Sequence, residues 1–171
     1  MGGRVITART ERSEPCGGTL VHDFWLLREG EHDPRDYRAF AARRDAPLSI
    51  SDDLVMHFGA SLRWVPTACP ALDLAGGHGL NLYDATVIRG EGAAKLERIC
   101  TAWAQLFGEG PDVIELSHGG REVVGVDGQT EEHVIFVLEV RRDDLLRDLR
   151  HLASFASRAA TGEHYILHCG I

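Results

Sequence analysis

Apolar residues recur at two periods along this chain, and the change from one to the other marks its clearest unit. Over residues 80–88, LNLYDATVI, side chains alternate. Leu80, Leu82, Asp84, Thr86 and Ile88 share one face of a strand, and Asn81, Tyr83, Ala85 and Val87 share the other. From about Glu91 to Phe107 the spacing becomes three and four. Leu96, Ile99, Cys100, Trp103, Leu106 and Phe107 then predict a helix with one core-facing stripe. Gly90-Glu91-Gly92 turns the corner between them, and Gly108 stops the helix.

The same reading places the other elements. Residues 19–28, TLVHDFWLLR, predict a strand that is apolar on both faces. Asp33 caps a short helix with Pro34 at its first position and Tyr37, Phe40 and Ala41 as its stripe. Ser51 caps a second helix, where Asp52 and Asp53 favour the positive end of the dipole and Leu54, Val55, Phe58 and Leu62 form the apolar face. Residues 64–79, punctuated by Pro and Gly, read as a long loop. Strands follow at 112–116, at 122–126 before an Asp127-Gly128 hairpin turn, and at 134–140. Asp143 caps a last helix to about Ala160, with Leu145, Leu146, Leu149, Leu152, Ala153, Ala156 and Ala159 as its stripe. Residues 164–170, HYILHCG, predict a terminal strand paired inside the sheet.

These elements predict an α+β fold: a single domain with a mixed, mostly antiparallel sheet of five to six strands packed with about four helices. Residues 1–18, polar and rich in Gly, Arg and Glu, are expected to be a flexible arm, and residues 19–171 the domain. A chain of 171 residues suffices for one sizeable core.

Charge narrows the partners. The net charge is −8, which argues against nucleic acid and is compatible with a basic protein partner. No apolar run reaches the ~20 residues that span a bilayer, so no membrane association is expected. The first residues, MGGRVITARTERSEP, lack the apolar core of a secretory signal, so the expected location is the cytoplasm. Cys16, Cys69, Cys100 and Cys169 form no CxxC pair and are expected as free thiols.

Three features offer chemistry. The Gly90–Gly92 turn has the strand–glycine–helix context of a phosphate cradle, with Glu115 about 20 residues on as a ribose-binding acid. Against this, Lys95 replaces the third glycine and Glu91 would set a carboxylate beside the phosphates, so a plain corner is the competing reading. The nine histidines show no metal-ligand spacing. His78, inside Gly-Gly-His-Gly, and His118, before two glycines, are those free to converge on a site. Third, Arg63, Trp64, Asp73, His78, Tyr83 and Asp84 combine aromatic, cationic and acidic groups around the 64–84 stretch, the mixture of an interface anchor. No P-loop, G-x-S-x-G, H-E-x-x-H or EF-hand loop occurs, and neither a cofactor nor a metal is expected.

Three segments carry a resemblance: Ser61-Leu62-Arg63-Trp64-Val65-Pro66; Gly79-Leu80-Asn81-Leu82-Tyr83 with Thr86-Val87-Ile88; and Ile166-Leu167-His168-Cys169-Gly170-Ile171. Together they resemble small bacterial proteins encoded beside polymorphic toxins, which act as immunity proteins. The resemblance implies a single-domain cytoplasmic protein that binds another protein, without catalytic residues. The competing expectation is a small ligand- or metal-binding enzyme with its site near His78, His118 and the Gly90–Gly92 turn.

Overall fold

Residues dense in Ile, Leu, Val and aromatics form the centre of a sheet because both faces of the pleat can be packed. The computed structural model describes residues 5–9, 20–42, 48–70, 74–118 and 133–170. Its strands are Val5–Arg9 (β1), Val21–Arg28 (β2), Leu48–Ser51 (β3), Pro66–Cys69 (β4), Leu74–His78 (β5), Ala85–Ile88 (β6), Val113–His118 (β7), His133–Arg141 (β8) and His164–Cys169 (β9). Its α-helices are Tyr37–Ala41 (α1, entered through a 3₁₀ turn at Pro34–Asp36), Asp52–Leu62 (α2), Gly90–Gly108 (α3) and Arg142–Ala160 (α4).

Six strands form an antiparallel sheet in the order β3-β2-β9-β6-β4-β5. β1, β8 and β7 form a second sheet, with β1 parallel and β7 antiparallel to β8. The strand β1 falls inside the stretch expected to be a flexible arm and pairs in parallel with β8. One buried cluster runs through both sheets. It joins Phe24, Ile88 and Ile166 of the large sheet to Ile114 and Leu116 of β7 through Phe58, Leu96 and Leu149 of the helices. The chain is therefore a single α+β domain.

The strand β9 holds the large sheet together. Phe24 pairs with His168 and Leu26 with Ile166 on one side, and Thr86 pairs with His168 and Ile88 with Ile166 on the other. Alternation sends Phe24, Ile88 and Ile166 to the helix layer. Trp25, Ala85, Val87, Tyr165, Leu167 and Cys169 go to the opposite face, where Tyr37 packs on them. Each large side chain buried this way contributes about 1.5–3 kcal/mol.

Against the helix layer, α3 and α4 pack along their length. α3 buries Gly92, Ala93, Leu96, Cys100 and Ala104, while Leu106 is 62% exposed. Leu106 is thus corrected from core to surface. α3 packs on α4 with Ala104 buried on one helix and Ala156 and Ala159 on the other. α4 begins at Arg142, one residue before the expected cap. Its N-cap Arg141 makes no side-chain bond, and Asp143 acts from within the first turn. Arg142 ties this end to the α3–β7 turn by donating to the Gly110 carbonyl at 2.9 Å and pairing with Asp112 at 3.0 Å.

Two further corrections concern the centre of the chain. The expected 64–79 loop is largely a hairpin, β4–β5, with Pro66↔His78 and Thr67↔Gly77 in register. Pro66 is tolerated as the first residue of its strand, where its missing N–H is least costly. The expected strand over 80–88 shortens to Ala85–Ile88. Before it, the Asn81 side chain accepts from the Tyr83 backbone N–H and folds the chain into a turn. The strand expected at 122–126 and its hairpin turn lie outside the described residues.

Candidate functional site

The groups singled out for binding fall into two places. Arg63 and Trp64 form the turn that follows α2, with Trp64 N–H donating to the Ser61 carbonyl and Val65 N–H to Leu62. The Gly79 N–H donates to the Val65 carbonyl at 2.9 Å, and Gly79 lies against the Arg63 backbone. That contact brings His78 and Gly79 beside the turn. Below it, Trp103 Nε1–H donates to Ser61 Oγ at 3.0 Å, clamping the end of α2 to α3. Trp64 is 61% exposed and Arg63 and His78 are exposed, so a fixed backbone presents an indole, a guanidinium and an imidazole to solvent.

Tyr83 and Asp84 stand elsewhere. Ala68 pairs antiparallel with Val87, so the Pro66 and Ala85 ends of that ladder point in opposite directions. Tyr83 is 80% exposed. The Asp84 carboxylate is engaged in the fold: the Tyr37 hydroxyl donates to it, as does the Ala85 N–H at 2.8 Å. These bonds, the first above all, hold its pKa below the usual carboxylate range. The expected six-residue surface thus divides into Arg63, Trp64 and His78 at one end and Tyr83 with Asp84 at the other. Asp73 lies outside the described residues.

The glycine corner has a structural account. Gly90 takes φ +49, a left-handed conformation that glycine adopts without cost. A Cβ on Gly92 would lie 2.0 Å from the Pro66 carbonyl oxygen, so the first turn of α3 touches the backbone of β4. The close approach that a dinucleotide fold reserves for pyrophosphate is here taken by the chain itself. His78 ends β5 in the large sheet and His118 ends β7 in the small one. Among the described residues no three His, Cys, Asp or Glu groups are placed to hold a metal ion.

A polar group that the sequence reading passed over lies at the centre of the sheet. His22 Nε2 is 2.9 Å from Asp52 Oδ1, and His22 Nδ1 is 2.8 Å from His168 Nε2. Both imidazoles are fully buried and nearly parallel, with centroids 5.1 Å apart, and Phe24 is tilted against His168. Asp52 sits at the start of α2 with its side chain 27% exposed. The hydrogens follow from the chain of bonds. An ionised carboxylate only accepts, so His22 Nε2 donates; a neutral His22 then accepts at Nδ1, and His168 Nε2 donates. His168 Nδ1 is left as a buried lone pair with no hydrogen-bond partner among the described residues. Burial, and secondarily His22, draws the His168 pKa down to about 3. The signal was present in sequence, as His22 stands two residues before Phe24 and His168 stands beside Cys169 in a strand rich in apolar residues. What sequence could not supply was the β2–β9 register that brings them together.

Two thiols are removed from chemistry by burial: Cys100 is pushed up to about 12, and Cys169 to about 11 with help from Asp23 and Asp84. Among the described residues Cys69, Cys100 and Cys169 are free. No described helix is long and apolar enough to cross a membrane. Comparison with protein-family models, curated proteins and solved structures gives no match.

Proposed function

We propose that this chain is a non-catalytic protein-binding domain of bacterial immunity type, which acts in the cytoplasm by covering a toxin partner. The observation that carries the reading is Trp64, 61% exposed on a turn fixed by backbone bonds on both sides. Trp and Arg are the residue types that dominate binding energy at interfaces, and a preordered turn avoids the entropy cost of ordering them on contact. Arg63 and His78 are exposed as well, the first on the same turn and the second next to Gly79, which bonds to it. The net charge of −8 favours a basic toxin domain and would speed its association at low salt.

The test is protection. Cells carrying the toxin domain encoded beside this chain should survive when it is co-expressed, and the two purified proteins should elute together. Trp64→Ala should weaken that complex by about 2 kcal/mol or more, as for an interface anchor. A chain that neither protects nor co-elutes ends the proposal.

A further inference from the structure

β3 pairs with β2 up to Ser51, next to the start of α2, and the buried chain Asp52–His22–His168 adds a side-chain tie that runs from α2 through β2 to β9. β2 and β9 pair with one another, but α2 meets this region through its first residue, whose N–H donates to the Leu20 carbonyl at 3.0 Å and whose carboxylate takes His22. The chain is open to solvent at one end only, at Asp52.

A further proton has no place in this arrangement. If His22 gained a hydrogen on Nδ1, two N–H groups would face each other across 2.8 Å. His168 would have to move its own hydrogen to Nδ1, where a buried donor would find no acceptor. The remaining neighbours do not relieve this. β6 offers the Thr86 hydroxyl opposite His168, but it makes no hydrogen bond to His168 Nδ1. Ile50 of β3 faces His22 in register. Across Phe24, α3 and α4 contribute the Cys100 thiol and the Asp148 carboxyl to the same apolar cavity; other lining groups are Phe58, Trp103 and Leu145.

We propose that Asp52, His22 and His168 form an acid-released latch, which clamps the first turn of α2 onto the sheet while both rings are neutral and lets it go when protons are supplied at the Asp52 end. The latch is independent of what the Trp64 surface binds.

The sign follows from His168. Its folded pKa of about 3 lies below the ordinary 6.5, so between those values the released or unfolded ring holds a proton that the latched ring lacks. The latched state is fully favoured above pH 6.5 and loses ground as pH falls through that window.

Three measurements test it on the full chain. Nitrogen-15 spectra of the wild type at neutral pH should show His168 with its hydrogen on Nε2 and a bare Nδ1. Amide protection at Asp52 should fall by up to about tenfold per pH unit below 6.5, ahead of α4. Urea unfolding followed against pH should show about one proton fewer taken up by His168→Phe than by the wild type. A hydrogen on His168 Nδ1 at neutral pH, a His168 that titrates near the ordinary 6.5, or Asp52 protection that tracks α4 at every pH would each overturn the latch. So would equal proton uptake by the two proteins. Should His168→Phe fail to fold, the first two measurements decide on the wild type alone.

Discussion

At Gly92 a hydrogen atom is all that fits. Its missing Cβ would meet the Pro66 carbonyl at 2.0 Å, so Gly92→Ala must push α3 away from β4. The helix-propensity gain of about 1 kcal/mol is then outweighed, and a net loss of about 2 kcal/mol is expected in urea unfolding. Gly59 is the control. It lies inside α2 with nothing within 4 Å of a built Cβ, and Gly59→Ala should stabilise by about 0.5–1 kcal/mol. Opposite signs for two Gly→Ala changes in helices separate close approach from propensity; equal signs would refute the account of the corner. At the same scale, Trp64→Ala and Tyr83→Ala remove exposed rings and should each change stability by less than about 0.5 kcal/mol, leaving any loss of binding attributable to contact.

Among the elements, α3 shows how far a pattern can be read from sequence. Its span was legible, because the apolar repeat is long and a glycine stands at each end. Its rotation was not. Leucine looks like core and alanine is neutral, yet contact with α4 inverts the ranking of Leu106 and Ala104. Ala104→Leu should therefore cost about 1–3 kcal/mol by overpacking, while Leu106→Ala should change stability by no more than about 0.5 kcal/mol. Thermal or urea melts of the two variants check the phase directly. The strands β2 and β9 were legible for the opposite reason: each carries apolar residues on both faces, so no choice of face was needed. The hairpin β4–β5 was not, because PTAC and LAGGH carry neither alternation nor β-branched runs, and their pairing is decided by β6 alongside. The candidate surface was legible in part. His78 pairs with Pro66, near the turn that carries Arg63 and Trp64, because the same hairpin folds back, whereas Tyr83 and Asp84, close in sequence, precede the far end of the ladder.

For the whole molecule, one continuous core means that local damage is felt globally, and the thiols offer a way to see it. Cys100 is 2% exposed and Cys169 7%, with both pKa values raised by burial, while Cys69 is half-buried. Brief alkylation of the native protein should modify Cys69 well before the other two. Cys100 and Cys169 should become reactive together along a urea titration, at the midpoint seen by circular dichroism. Earlier labelling of Cys169 would mean that the sheet opens apart from the helix layer. The assembly of that sheet has a temporal side as well. His22 and His168 are 146 positions apart in the chain, and β9 lies between β2 and β6. The two halves of the large sheet cannot join until a segment of nearly the whole described length has been looped back. Chain-closure entropy must be met before the contacts that repay it exist, which places folding in the millisecond-to-second range of non-local β proteins, with α3 and α4 free to pair first.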